Sequence, residues 1–204
     1  MVLQYLCLLK ILTCKGIKHN LYIMIKITLP DGSVKEFEKN STSMDVAKSI
    51  SEGFARNVIS ANFNGTTIET TTPLTTDGSL ILYTFNDEGG KKAFWHSSAH
   101  VLAQAILEFH PNAKLTIGPA IDNGFYYDID LGEGTISDKD FSAIEKKFLE
   151  LARGKHEFKL RSISKEDALA YYKEEENEYK VELIENLTDG DITFCDHSDF
   201  TDLC

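Results

Sequence analysis

Residues 24–38, MIKITLPDGSVKEFE, alternate apolar and polar side chains on both sides of a turn sequence at 30–33. Such alternation is typical of half-buried strands, and a Pro-Asp-Gly turn between two alternating runs predicts a β-hairpin. Thr42 stands three residues before Asp45, ahead of an apolar helical pattern that stops at Gly53. A polar cap and a glycine stop predict a short helix after the hairpin.

A second pair of strands follows this helix. Residues 58–63 and 66–68 are rich in β-branched side chains and are separated by Asn64 and Gly65, which predicts a two-residue type I′ turn. A further apolar run at 80–85 predicts the last strand. Hairpin, helix and further strands within about sixty residues indicate a β-grasp, ubiquitin-like fold.

The pattern changes near Gly89 and Gly90, where strand-like alternation gives way to long helical periods. We therefore expect an α+β chain with a second, mixed domain after this point. The expected helices lie at 93–109, 138–153 and 164–172, and the expected strands lie at 179–184 and 192–194.

The overall charge excludes a general binder of nucleic acid. The 204 residues contain 21 Lys and Arg against 32 Asp and Glu, which gives a net charge of −11. A protein held to DNA by phosphate neutralisation carries a basic face, so we expect no DNA partner, and any RNA contact must be local. The four cysteines form no dense disulfide framework, and a reducing cytoplasm is the expected location.

The apolar segment 1–23 is not expected to be a signal peptide or a membrane anchor. Gln4 and Lys10 interrupt its apolar run, and the run is too short to span a bilayer. Met24 opens directly into the first strand, so we interpret 1–23 as a non-native or disordered extension from a misassigned start.

Two histidines, His96 and His100, stand four residues apart on the helix expected at 93–109. This spacing places both imidazoles on one face, where they are candidates for acid and base catalysis or for metal binding. A solvated pair on a polar face explains the spacing equally well. Ser97 replaces the glutamate of the HExxH motif, which excludes a zincin site.

Five separated motifs together resemble bacterial threonyl-tRNA synthetases, in which a TGS domain is followed by an editing domain of the threonyl/alanyl-tRNA synthetase type. The motifs are ITLPDGS at 27–33, HSSAH at 96–100, GPAIDNGFYYD at 118–128, EYKV at 178–181 and DLC at 202–204. The resemblance divides the chain into an extension at 1–23, a TGS β-grasp domain at 24–86, a linker at 87–92 and a C-terminally truncated editing domain at 93–204.

The resemblance also implies the residues of an editing pocket. His96 or His100 would position a water molecule as a base, Lys180 would polarise the ester, and Cys204 would line the pocket. Tyr127 and Asp202 would bind substrate, and Asp202 would contact the amino group of the substrate. The catalytic residues implied are His96, His100, Lys180, Asp202 and Cys204. The family's later pocket histidine has no counterpart before the chain ends, so we expect weak activity or none in the isolated chain.

We expect no cofactor and no metal in this part, with His96, His100 and Cys204 the only candidate zinc ligands. ATP, Mg and a zinc would belong to a catalytic core that is absent here. Cys195 and His197 form an alternative cysteine–histidine pair, which we interpret as loop residues.

The function implied is that of a fragment of a threonine–tRNA ligase. The parent enzyme would join threonine to tRNA(Thr) with ATP, and this region would hydrolyse mischarged seryl-tRNA(Thr). Its partners would be the tRNA acceptor end and the rest of the synthetase chain, which would dimerise through absent domains; no membrane partner is expected. Two alternatives stay open: a TGS-containing module that binds RNA or a partner and has an inactive editing domain, and an alanyl-type trans-editing protein.

Overall fold

The structure is a computed structural model that describes residues 23–190 and 192–204. Of the predicted extension at 1–23, only Ile23 lies among the described residues. The chain forms two compact units: the first runs up to Arg56 and includes Ala61–Leu82, and the second contains Asn57–Ser60 and Tyr83–Cys204. Within the two described ranges, no helix is both long and apolar enough to cross a membrane.

A five-stranded sheet and two short helices lie between residues 23 and 85. The elements are β1 (Met24–Thr28), β2 (Val34–Glu38), α1 (Ser43–Ile50), α2 (Glu52–Ala55), β3 (Val58–Phe63), β4 (Thr66–Ile68) and β5 (Gly78–Thr84). The strand order is β2-β1-β5-β3-β4, in which β1 and β5 are parallel. This order, with the first helix following the first hairpin, is the predicted β-grasp arrangement.

Local sequence signals explain these elements. In α1, the Thr42 side chain accepts from the Asp45 backbone N–H, and the Asp45 carboxylate accepts from the Thr42 N–H at 2.9 Å, so the predicted capping box is confirmed. Asn64 and Gly65 have φ values of 53° and 90°, as a type I′ turn requires. The core beneath α1 consists of Ile25, Ile27, Val46, Ala61, Leu74 and Leu80.

The second unit combines four helices with three small sheets. Its elements are α3 (Glu88–Leu107), β6 (Lys114–Leu115), β7 (Ala120–Ile121), β8 (Gly124–Phe125), β9 (Ile129–Asp130), α4 (Asp138–Arg153), β10 (Phe158–Ser162), α5 (Lys165–Glu174), α6 (Glu178–Glu185), β11 (Thr193–His197) and β12 (Phe200–Leu203). The sheets pair β10-β11-β12, β6-β9 and β7-β8.

Helix α3 begins at Glu88, so the predicted start at residue 93 is wrong and the residues expected as a linker, 87–92, are mostly helical. The reason is steric. A Cβ atom at Gly90 would lie 1.9 Å from the carbonyl oxygen of Thr84, so this glycine permits a close approach of two backbone segments. Gly89 and Gly90 were interpreted as a break between the two domains, but both lie inside the first turn of α3.

The strand predicted at 179–184 is also wrong, because this segment forms helix α6. The Asn177 side chain accepts a hydrogen bond from the Lys180 backbone N–H at 3.1 Å and caps the helix. Lys180 and Ile184 are both buried and stand four residues apart, which is the spacing of one helical face. The apolar alternation in this short segment suggested a strand, so the helical face formed by Lys180 and Ile184 was not recognised.

The start of α6 is fixed to the β6-β9 pair by three consecutive residues. The Asn177 amide donates to the Leu115 carbonyl oxygen at 3.0 Å, and Lys114 forms an ion pair with Glu178. The Tyr179 hydroxyl donates to Asp130 Oδ2 at 2.6 Å. These contacts determine where the next side chain, that of Lys180, enters the interior.

Replacing Asn177 with Ala should destabilise the second unit by about 2–3 kcal/mol, since the change removes a helix cap and leaves a buried carbonyl without its donor. Urea unfolding monitored by the fluorescence of Trp95, the single tryptophan of the chain, measures the loss. Asn186→Ala is the matched control, because Asn186 is exposed at the other end of α6. Equal effects of the two substitutions would show that Asn177 does not anchor the helix.

Candidate active site

Helix α3 presents both predicted histidines to one cluster. The rings of His96 and His100 meet edge to face with centroids 4.7 Å apart. Their Nε2 atoms are 3.3 Å apart, within hydrogen-bond distance. The expectation that both imidazoles share one face of the helix is therefore met by the geometry.

The β11-β12 hairpin brings two further predicted residues to these histidines. His100 Nδ1 lies 2.9 Å from Asp202 Oδ2, and His96 Nε2 lies 3.1 Å from Cys204 Sγ. In the strand register Cys195 is opposite Asp202. Residues about a hundred positions apart in sequence thus meet at the edge strand of the three-stranded sheet.

Tyr127 and Lys180 complete the cluster around the same carboxylate. The Tyr127 hydroxyl donates to Asp202 Oδ2 at 2.5 Å, and Lys180 Nζ lies 2.7 Å from Asp202 Oδ1. Lys180 Nζ also donates to the Tyr127 hydroxyl at 3.3 Å. The structure therefore brings together every site residue predicted from the sequence: His96, His100, Tyr127, Lys180, Asp202 and Cys204.

The Asp202 carboxylate is saturated by protein donors. It is 1% exposed and accepts hydrogen bonds from Lys180, Tyr127 and the Leu203 backbone N–H in addition to its contact with His100. A carboxylate offers about four lone-pair sites, and these four partners use them. A substrate amino group could reach Asp202 only by displacing one of them.

Hydrogen bonds and charge keep Asp202 and His100 ionised. Burial alone raises the pKa of Asp202, but contacts with His100 and Lys180 outweigh burial and lower the pKa to about 2. Burial likewise lowers the pKa of His100, yet hydrogen bonds with Asp202 and Cys204 raise it to about 9. The raised pKa favours the imidazolium form of His100, in which Nδ1 donates to Asp202.

Cys204 favours the thiolate form. A hydrogen bond with Cys195, followed by those with His100 and His96, holds the pKa of the Cys204 thiol well below its usual range despite partial burial. Burial and the nearby Asp202 carboxylate raise the pKa of Tyr127, which stays a neutral donor. The cluster thus contains two cations and two anions.

Accessibility divides the cluster into two groups. His100, Lys180 and Asp202 are 4%, 2% and 1% exposed. His96 and Tyr127 are half-buried, and Cys204 is exposed. The groups that can contact a ligand without rearrangement are therefore on the His96 and Cys204 side.

The candidate metal ligands also lie together. One ligand atom from each of His96, His100 and Cys204 falls within 4.8 Å of the others. A carboxylate that orients a ligating imidazole, as Asp202 does for His100, is usual in zinc sites. The donor set fits a three-ligand site, but an imidazole ligand must be neutral, and the raised pKa of His100 opposes binding.

One neighbouring residue, Gln104, was not predicted from the sequence. Gln104 lies one turn beyond His100 on α3, and its Oε1 is 2.7 Å from His197 Nδ1. His197 and Cys195 were expected in a loop, but both are buried on β11, so this interpretation is wrong. The i, i+4, i+8 spacing of residues 96, 100 and 104 is a sequence signal that could have indicated Gln104.

Replacing Asp202 with Asn should destabilise the second unit by about 3–5 kcal/mol at pH 7, because two buried cations lose their counter-charge. Asp196→Asn is the matched control on the same hairpin. Asp196 pairs with Arg161 but its side chain is 29% exposed, so its loss should cost at most about 1 kcal/mol. Urea unfolding of both variants measures the difference, and equal losses would contradict the importance of the buried carboxylate.

Comparison with known proteins gives two findings. Residues 25–84 match the TGS domain family. Over 181 residues, 89% of this chain, the sequence is 67% identical to threonine--tRNA ligase of Flavobacterium psychrophilum. The same coverage gives 52% identity to threonine--tRNA ligase of Cytophaga hutchinsonii and 48% to that of Bacteroides thetaiotaomicron.

The aligned region spans 28% of the length of each of these relatives. Residues 25–84, most of which lie in the first unit, therefore form a TGS domain, and most of the chain matches an N-terminal fragment of threonine--tRNA ligase.

Proposed function

We propose that the second unit is an editing domain of the threonyl/alanyl-tRNA synthetase type and that it hydrolyses seryl-tRNA(Thr). The observation that carries the proposal is the convergence of His96, Tyr127, Lys180, Asp202 and Cys204, with His100, on one partly accessible cluster. The similarity to threonine--tRNA ligases supports tRNA(Thr) as the RNA that carries the ester.

Such a hydrolytic site is needed because binding alone discriminates weakly between threonine and serine. Serine lacks one methyl group of threonine, and one methyl in a pocket discriminates by only about 1–3 kcal/mol. A ligase that activates threonine therefore also activates some serine. A second site that cleaves the seryl ester removes the product of that error.

Ester hydrolysis requires a water molecule, a group that orients and deprotonates it, and positive charge near the carbonyl oxygen. His96 is the half-buried imidazole, so we assign it the contact with water. Cys204 lies 3.1 Å away and lines the same opening. Protonated His100, whose Nε2 is 3.3 Å from that of His96, supplies positive charge beside the reacting groups.

The buried groups act through position. Asp202 orients His100 and Tyr127, and Lys180 balances the carboxylate charge. Two of the three ammonium protons of Lys180 are used by Asp202 and Tyr127, and Lys180 is 2% exposed, so polarisation of an ester by the third proton requires the cluster to open when substrate enters. In this assignment Asp202 orients its neighbours. It would bind the amino group of the substrate only if one of its present hydrogen-bond partners were displaced.

The remaining activities belong to the whole ligase. Because the matched region is 28% of the relatives' length, ATP-dependent attachment of threonine, with its Mg and zinc, is proposed for the rest of the synthetase chain. We propose tRNA(Thr) and that chain as partners, and the cytoplasm as the location. The hydrolytic step proposed here uses water and this chain's side chains without a metal.

His96→Ala should lower the rate of seryl-tRNA(Thr) hydrolysis by about 10²-fold or more, because a general base contributes at least that factor. The measurement is release of labelled serine from seryl-tRNA(Thr) at pH 7.5, with threonyl-tRNA(Thr) as the comparison substrate, which we expect to be cleaved more slowly. His110→Ala is the control variant, since His110 is a half-buried histidine beyond the end of α3.

Because weak activity or none is expected of the isolated chain, the rates are measured in a full-length ligase that contains this region. There, three outcomes contradict the proposal: no hydrolysis above buffer, equal cleavage of both esters, or equal effects of the two histidine substitutions. Dialysis against EDTA should leave the rate unchanged, and a loss restored by zinc would contradict the metal-free step. Binding of tRNA without hydrolysis would favour the alternative of an RNA-binding module with an inactive second domain.

The Cys204 thiol should react with iodoacetamide at pH 6–7, well below the ordinary thiol pKa of about 8.5, because hydrogen bonds in the cluster stabilise the thiolate. His96→Ala removes one of these bonds and should shift the alkylation profile to higher pH. Mass spectrometry of the peptide that contains Cys204 follows the reaction, and buried Cys195 is the internal reference. An inflection near 8.5 in both proteins would show that the thiolate is not stabilised.

A further inference from the structure

Four aromatic side chains of the second unit form a partly exposed surface. The ring centroids are 5.2 Å apart for Phe85 and Phe94, 5.1 Å for Phe94 and Trp95, and 6.1 Å for Trp95 and Phe125. Phe85 and Phe94 are 42% and 41% exposed. We call Phe85, Phe94, Trp95 and Phe125 the aromatic surface.

The aromatic surface adjoins the candidate active site on two sides. Trp95 immediately precedes His96 on α3, and Phe125 precedes Tyr127 by two residues. Consecutive Cα atoms are about 3.8 Å apart, so both rings start within about 8 Å of backbone that supplies the cluster. Exposed apolar patches mark binding sites, and two of these four rings belong to segments that also supply His96 and Tyr127.

We propose that the aromatic surface stacks the unpaired bases at the 3′ end of the tRNA whose ester lies against His96 and Cys204. The inference rests on the proposed function and names the groups that hold its substrate. An ester on a terminal ribose carries its own base and the preceding nucleotide within about one nucleotide's length, and Trp95 is the residue bonded directly to His96 in the chain. Aromatic side chains bind single-stranded bases by stacking, independent of sequence.

The charges beside the aromatic surface fit the same ligand. Lys91 and Lys92 are exposed one turn before Trp95 on α3, where they can contact backbone phosphates. The chain has a second adjacent lysine pair, Lys146 and Lys147 on α4, so the relevance of Lys91 and Lys92 rests on their position one turn before Trp95. A local basic pair next to aromatic rings is the combination that binds single-stranded nucleic acid.

Trp95 makes the inference directly measurable, because it is the only tryptophan in the chain. Titration with the oligoribonucleotide ACCA should quench its fluorescence in a saturable way, and an abasic oligomer of the same length should not. Phe94→Leu keeps an apolar side chain but removes the ring, and it should weaken binding about tenfold. Phe141→Leu, at a phenylalanine of α4 that is 56% exposed, is the matched control and should leave binding unchanged.

Equal quenching by the abasic oligomer, or equal affinity of the two phenylalanine variants, would overturn the inference. A fluorescence change on raising the protein concentration alone would also overturn it, since a second copy of the chain would then cover the rings. Seryl-tRNA(Thr) hydrolysis separates this failure from failure of the proposed function. Phe94→Leu should raise KM about tenfold with kcat unchanged, whereas normal hydrolysis with an unchanged KM would refute the stacking role and leave the hydrolytic role standing.

Discussion

The second unit depends on one buried carboxylate. Asp202 is removed from water, and a buried charge is tolerated only when donors and counter-charges surround it. Its partners come from helix α3, helix α6 and the segment after β8, so the three parts of the unit must meet at one point. The electrostatic requirement of Asp202 thus determines where His100, Lys180 and Tyr127 lie.

Contacts outside the cluster position the helices and the sheet that carry the partners of Asp202. Gly90 lets α3 start directly against the backbone of Thr84, which sets the position of the helix that carries both imidazoles. Asn177 caps α6 and binds the Leu115 carbonyl oxygen, which places Lys180. Gln104 contacts His197 on β11 and so links α3 directly to the sheet that carries Asp202. Backbone contacts and amide hydrogen bonds therefore fix the geometry of the charged groups.

The sequence predicted those features that arise from local signals. The hairpin at residues 24–38 and the cap at Thr42 follow from alternation and from side-chain chemistry within a few residues, and both are present. The start of α3 was missed because it depends on the close approach of Gly90 to the backbone of Thr84. The helical state of 178–185 was missed because it depends on contacts between distant segments, as at Asn177. The members of the cluster came from resemblance to a family. Their burial, and the saturation of Asp202, became visible only in three dimensions.

The shared partners of Asp202 also constrain how this site can change during evolution. Loss of any one of His100, Tyr127 or Lys180 leaves a buried charge under-compensated, so each single replacement lowers stability as well as chemistry. Joint replacement of the carboxylate and both buried cations by apolar groups avoids that penalty, but it requires coincident changes at three distant codons. A lineage that no longer needed the cluster would therefore retain its charged residues for structural reasons, and their persistence alone would not prove selection for catalysis.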